Sequence, residues 1–356
     1  MRILHAQWYL PTWVRSFAET VMWRSFGVRI CALIVASVIL LPLTLSTARA
    51  QTPSLEGLVA AVVHVKTFID PEGRTTQNLG REREGSGIVI DSSGLVLTIG
   101  YLMVEAHSAE LVTHDGHSVS ANVVGYDHET GFGLLRAAGP LNVRPMPMGK
   151  SADLKADDPV LIASFGGADM VGAARVVARR VFAGSWEYLL EDAIFTAPPH
   201  PRWSGAALIN REGKLVGIGS LVVGDASGKS DGPPGNMFVP IDRLPPILAE
   251  LIADGRVQGP ARPWLGLTIE PLGGLLMVAR VIPQSPAEKA GVQRGDVVLG
   301  VAGVKAKDLA DFYRKIWALG SAGTTVPVDV MQNKATRRID IPSMSRYDHL
   351  KLKSTF

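Results

Sequence analysis

Three stretches of this chain repeat one device, and that device constrains the fold more than anything else in the sequence. "SGIVIDSSGLVLT" sets two apolar runs around Asp91-Ser92-Ser93-Gly94. "AELVTHDGHSVSANVVGYD" does the same around Asp115-Gly116, and "AALINREGKLVGIGSLVV" around Arg211-Glu212-Gly213. Apolar runs of strand length, reversed at Asp- and Gly-containing turns, are hairpin signals. "VVHVKTF" adds a strand of alternating apolar and polar residues. Many short strands broken by frequent turns predict an all-β barrel or sandwich over roughly residues 58–240. The 37 glycines, 23 prolines and 47% apolar content suit such a turn-rich β protein better than a helical bundle.

"IDRLPPILAELIADG" then predicts a helix that closes this unit and stops at Gly255. "RVQGPARP" has the composition of a linker. From Trp264 a second, smaller unit begins, with strands at "WLGLTIE", "LLMVARVI", "VVLGVAG", "VPVDVM" and "RRIDIP". Between them lie "SPAEKAGV" and "AKDLADFYRKIWALG", an amphipathic helix with Leu309, Phe312, Ile316 and Leu319 at three- and four-residue steps. The expected organisation is a leader over 1–50, a β domain over 51–255, a linker over 256–262, an α+β domain over 263–345 and a C-terminal tail over 346–356.

The leader is expected from Arg24 and Arg29, the apolar run "ICALIVASVILLPLTL" and the small residues of "ARA" at 48–50, a signal-peptide pattern cut after Ala50. Residues 1–21 make it long, and Met22 gives a more ordinary start. The alternative is an N-terminal membrane anchor, but the run of about 16 residues is short of the roughly 20 that span a bilayer. Export to the periplasm, or secretion, follows from cleavage. The single cysteine, Cys31, lies inside the leader, so the exported chain would carry neither a disulfide nor a thiol nucleophile. The histidines are scattered, with neither CxxC nor HExxH, and no metal or other cofactor is expected. A net charge of +3, without a long basic run beyond the N-terminus, argues against nucleic acid as a partner.

In order along the chain, "GSGIVIDSSGLVLT", "VVGYDHETGFGLLRA", "ADLKADDPVLIASFGG", "RWSGAALINREGKLVGIGS" and "NMFVPID" resemble the segments of the HtrA/Deg serine proteases. The resemblance implies a mostly β protein, a trypsin-like double β-barrel followed by a small α+β PDZ domain. It also exposes a gap. A serine nucleophile needs a base within hydrogen-bond reach and a third group to orient that base. In the family the histidine follows "LT" by three positions; here that residue is Tyr101, a phenol of ordinary pKa about 10 and a poor base near neutrality. The position of the family's aspartate is Gly131. Ser204 matches the nucleophile, but Arg202 stands where the family has the glycine whose N–H helps form the oxyanion hole, and "TAPPHPRW" is one residue shorter than the family pattern. His107, His128 and His200 are the stand-in bases to consider, each reading first as a surface or turn histidine, and Ser204 as a retained turn residue.

The second domain keeps its pattern better. PDZ domains add a peptide C-terminus as a strand, hold its carboxylate on loop N–H groups and take the last side chain in a pocket. The resemblance places the loop at Trp264-Leu265-Gly266-Leu267, with Ile269, Phe312 and Ile316 completing the pocket. The expected function is an exported pseudoprotease that binds protein C-termini or unfolded polypeptides as an adaptor, a holder or a regulator of an active HtrA-like protease. The alternatives are a periplasmic serine endopeptidase with a rearranged triad and a purely structural subunit. The resemblance also implies a trimer, while the sequence itself leaves the oligomeric state open.

Overall fold

The computed structural model describes residues 54–229 and 231–352. The expected leader, its cleavage after Ala50, Cys31 and the start at Met22 lie outside the described residues. Helix α1 (Leu55–Ala60) opens the described chain, with Ser54 Oγ accepting the Gly57 N–H at 3.1 Å. Six strands follow: β1 (Val62–Ile69), β2 (Glu82–Val89), β3 (Leu95–Ile99), β4 (Ala106–Val112), β5 (Ser118–Tyr126) and β6 (Phe132–Ala137). They close into a barrel in the order β1-β2-β3-β6-β5-β4. A one-turn helix, α2 (Thr76–Leu79), sits in the connection between β1 and β2.

The second barrel comprises β7 (Pro159–Ala163), β8 (Val171–Gly184), β9 (Tyr188–Ala197), β10 (Ala207–Ile209), β11 (Leu215–Val223) and β12 (Gly235–Pro240), closed in the order β10-β11-β12-β9-β8-β7. The turn signals do what their chemistry predicts. Asp91 Oδ1 accepts the N–H groups of Ser93 at 2.8 Å and Leu95 at 3.0 Å, reversing β2 into β3. Asn210 Oδ1 likewise accepts from Glu212 at 3.0 Å and Lys214 at 2.9 Å between β10 and β11. The two barrels share one apolar core, in which Ile88, Leu97 and Phe132 of the first join Phe195, Leu215 and Met237 of the second. Side chains from both barrels therefore converge at their junction. Helix α3 (Pro245–Asp254) follows, with Gly255 taking the left-handed conformation at its C-terminus (φ 71°).

A six-stranded sheet forms the C-terminal unit: β13 (Leu267–Leu272), β14 (Leu275–Val281), β15 (Val297–Val301), β17 (Thr325–Gln332) and β18 (Ala335–Pro342) in spatial order, with the short β16 (Val304–Lys305) pairing β15. Helices α4 (Pro286–Lys289) and α5 (Leu309–Trp317) cover it. Leu309, Phe312 and Ile316 are buried as the periodicity predicts. Leu319 departs from the expectation: α5 ends two residues earlier, so its side chain leaves the helical face and is 39% exposed. A last helix, α6 (Arg346–His349), packs on the first barrel, where the Tyr347 hydroxyl donates to the Tyr126 carbonyl at 3.0 Å.

Strands β8 and β9 are 14 and 10 residues long and pair out to Gly184 opposite Tyr188. Their tip reaches the C-terminal unit, where Leu189 joins the apolar core of that unit.

Candidate functional site

Strand β3 ends in a 3-10 turn, Gly100–Leu102, that carries Tyr101 into the junction of the barrels. Three features fix this turn. The Gly100 N–H donates to the Gly131 carbonyl at 2.6 Å, which places Gly131 directly behind it. The Arg83 guanidinium, buried at 6% exposure, donates to the carbonyls of Tyr101 at 2.8 Å and Val104 at 3.2 Å and to Thr75 Oγ1 at 2.7 Å. Thr67 Oγ1 bonds the Leu102 carbonyl from the other side.

So held, the Tyr101 phenol oxygen lies 2.8 Å from Ser204 Oγ and 3.0 Å from the Ser220 carbonyl oxygen. The carbonyl can only accept, so the phenol proton is drawn to it and the serine proton to the phenol oxygen. Burial pushes the Tyr101 pKa up to about 12, against the smaller opposing effect of its hydrogen bonds with Ser204 and Trp203. At neutral pH the phenolate fraction is then ~10⁻⁵. The group touching Ser204 is thus a neutral phenol, with no capacity to take up a proton.

The loop before Ser204 is organised by His200. This histidine is not the surface residue its sequence suggests: it is 8% exposed. Its backbone N–H donates to Asn236 Oδ1 at 2.6 Å, and its Nδ1 accepts the Arg202 N–H at 3.2 Å. That N–H belongs to the residue at which the resemblance puts an oxyanion donor, and it is engaged within the loop. Burial, then the nearby Arg202 charge, lowers the His200 pKa and keeps Nδ1 free to accept. The Arg202 side chain lies over the Phe165 ring at 4.7 Å, and Phe165 stacks on His64 with ring centroids 3.8 Å apart. Glu84, Gly85, Phe165, Pro201, Trp203 and Ser204 line the open cleft beside these residues, about 410 Å³ in volume.

Of the other histidines considered, His107 is exposed on β4, and His128 packs edge-on against Tyr347 at 4.7 Å. Among the described residues no imidazole is hydrogen-bonded to Ser204 Oγ. Nor does any group of three or more His, Cys, Asp or Glu side chains there come together as metal ligands.

The loop Trp264-Leu265-Gly266-Leu267 opens the C-terminal sheet. Gly266 has a φ of +85°, and a Cβ there would lie 2.2 Å from Ser285 Cβ. Glycine at this position is what lets three successive N–H groups converge. Leu265, Leu267, Ile269, Phe312 and Ile316 lie together in the buried core of the C-terminal unit. Sequence reasoning missed Glu187, at the tip of the β8–β9 hairpin, whose carboxylate accepts all three loop N–H groups. It also missed Arg83 and Asn236. An acidic residue between aromatic ones at a hairpin tip, "GSWEYLL", was the available signal for Glu187.

Two domain families match this chain, the trypsin-like peptidase domain over residues 85–218 and the PDZ domain over residues 263–342. The protein is therefore of the class that joins a trypsin-like peptidase domain to a PDZ domain. It is 30% identical over 281 residues to Protease Do-like 1, chloroplastic, of Arabidopsis thaliana, covering 72% of this chain and 62% of that protein. It is 29% identical over 318 residues to a probable periplasmic serine endoprotease DegP-like of Pseudomonas putida (strain W619), covering 83% of this chain and 63% of the relative. The chain thus spans a little under two thirds of the length of these relatives. A solved structure of the HtrA-type protease AlgW with decapeptide aligns with a TM-score of 0.49 at 23% identity, over 82% of this chain and 99% of that one. The chain is a homologue of the HtrA, or DegP-like, serine endoproteases. Among the described residues, no helix is long and apolar enough to cross a membrane.

Proposed function

We propose that this protein is a pseudoprotease: an HtrA-like chain that keeps Ser204 but does not use it for peptide hydrolysis, and that binds protein C-termini or unfolded polypeptides through its PDZ domain. One observation carries the first half. The side chain in contact with Ser204 Oγ is a neutral phenol with its pKa pushed up to about 12, where acyl transfer requires a base. The engaged Arg202 N–H supports the same reading, since the transition state needs N–H groups aimed at the developing oxyanion. The converging N–H groups of the Trp264–Leu267 loop and the apolar cluster behind them support the second half. The leader pattern and the DegP-like relative described as periplasmic support export to the periplasm. There the chain acts as an adaptor, a holder of clients or a regulator of an active protease of its own family.

The test is unfolded casein, with a fluorophosphonate probe as a second readout. The purified protein and its Ser204→Ala variant are expected to give the same background in both. Casein turnover or probe labelling that disappears in the variant sinks the pseudoprotease reading.

A further inference from the structure

The tip of the β8–β9 hairpin is docked in the PDZ groove as the end of a polypeptide would be. Glu187 Oε2 accepts the Leu265 N–H at 2.8 Å, and Oε1 accepts the N–H groups of Gly266 and Leu267, each at 2.7 Å. Two residues earlier, the Ser185 carbonyl accepts the Ile269 N–H at 2.8 Å, a bond of the kind that adds a strand to β13. Trp186, between them, faces outward and is 38% exposed. Leu189, only 6% exposed, packs in the same cluster as Leu265, Leu267, Phe312 and Ile316. A bound C-terminus supplies a carboxylate, an apolar last side chain and strand bonds two residues apart. Here one hairpin supplies the carboxylate, an apolar side chain and one such strand bond, from Ile269 to Ser185.

The hairpin does this at some expense to itself. Glu187 has a φ of +58°, a conformation that suits glycine. Its carboxylate is buried at 7% exposure, and burying a charge is unfavourable without full hydrogen bonding. The three N–H groups provide that bonding. Tyr313 secures the tip further: its hydroxyl donates to the Gly184 carbonyl at 2.8 Å and accepts the Glu187 N–H at 3.1 Å. Arg314, the next residue of α5 and exposed, forms a fork with Glu191 of β9 at 3.0 and 2.6 Å.

We infer that the β8–β9 hairpin is an internal ligand of the PDZ groove, with Glu187 in the place of a terminal carboxylate and Leu189 in the place of the last apolar side chain. A polypeptide C-terminus ending in an apolar residue binds by displacing this hairpin. The inference rests on the reading of the groove as a C-terminus site. It adds that the site is closed in the resting protein, so apparent affinity is reduced by the fraction of molecules in which the hairpin is released.

The experiment uses the intact protein and its Glu187→Gly variant, which removes the carboxylate and suits the positive φ. The probe is a decapeptide ending in Val, as the free acid and as the C-terminal amide. Calorimetry is expected to show the free acid binding the variant at least about tenfold more tightly than the unsubstituted protein, and the amide binding neither. Hydrogen exchange without peptide is expected to show the Leu265, Gly266, Leu267 and Ile269 amides losing protection in the variant. Equal affinity for the two proteins, or unchanged protection of those amides, overturns the internal ligand. If the free acid binds neither protein, or the amide binds the variant as well as the acid does, the C-terminus reading itself fails. The exchange data then still report separately on whether Glu187 holds the loop.

Discussion

Restoring two residues to the cleft, Tyr101→His together with Gly131→Asp, is expected to give no measurable peptidase, and the structure says why in three steps. The imidazole is shorter than the phenol. From the same backbone, pinned by Arg83 and by the Gly100 bond to Gly131, it ends short of the point where the phenol oxygen now meets Ser204 Oγ at 2.8 Å. Second, Gly131 has a φ of +84°; a Cβ there would lie 3.5 Å from the Tyr188 hydroxyl, which is ordinary contact, so backbone strain is the obstacle rather than space. An L-residue in that region costs roughly 1–2 kcal/mol, and the Asp relieves it by moving the very group meant to orient the base. Third, the Arg202 N–H is donated to His200 Nδ1 at 3.2 Å, and one missing oxyanion donor slows acyl transfer by about 10²–10³. The losses compound. Adding Arg202→Gly and His200→Ala releases the third obstacle alone and is expected to improve on the double variant without giving a vigorous enzyme. The assay is casein cleavage alongside fluorophosphonate labelling, each with Ser204→Ala added to every variant. Vigorous, Ser204-dependent cleavage by the two-substitution protein refutes the argument, since it requires the oxyanion donors to be available already.

Acid is expected to destabilise the native state through its buried histidines. Burial, followed by the charges of Arg346 and Arg262, lowers the His128 pKa to about 3, and burial followed by Arg74 lowers that of His349 to about 4. Both folded values lie below the ordinary 6.5, so the unfolded chain binds protons that the native state refuses. Stability is then full above pH 6.5 and falls as the pH drops towards the folded values, by up to about 1.4 kcal/mol per pH unit for each histidine. Urea unfolding at several pH values, with His128→Gln for comparison, is expected to show a shallower loss in the variant; identical slopes would contradict the assignment. Arg83→Met is expected to cost about 2–5 kcal/mol, because the buried carbonyls of Tyr101 and Val104 lose their donor and each orphaned acceptor costs about 1–3 kcal/mol. A loss below about 1 kcal/mol in the same unfolding assay would mean that water replaces the guanidinium.

The sequence was legible where the interactions that decide the structure are local. The β2–β3 turn is encoded by Asp91, whose carboxylate bonds residues two and four positions on, and the β10–β11 turn by Asn210 in the same way. The α5 stripe could be read from its period, and erred only at Leu319, where the helix had already ended. The contact of Tyr101 with Ser204 spans 103 residues, but the ordered resemblance brought both into one site. Arg83 and Glu187 had no such guide. Arg83 reads as one charge of "EREGSG" on a strand face, and nothing nearby announces that its guanidinium serves carbonyls 18 and 21 residues on. Glu187 is separated from its three N–H donors by 78 to 80 residues and belongs to a different domain family match from theirs. A long-range partner of a charged side chain leaves no periodic trace in a sequence.

Two loops of this protein gather or present N–H groups of the kind that receive anions, and in both the N–H is met by a side chain of the chain itself. Backbone donors away from water need partners, and an internal acceptor is the default where no ligand supplies one. The two solutions differ in what it takes to undo them. His200 is neutral, sits two residues from the N–H it accepts, and is itself tied to Asn236 by its backbone. Opening that contact requires remaking the loop and returns no charge to water. Glu187 is a buried carboxylate on a left-handed residue at the tip of a hairpin, held by another domain. Its release relieves backbone strain and rehydrates a charge, while an incoming carboxylate takes over the same three donors. Exchange of one carboxylate for another is close to balanced, so the groove is poised to open to a competitor. The contact beside Ser204 has no comparable exchange partner and stays shut.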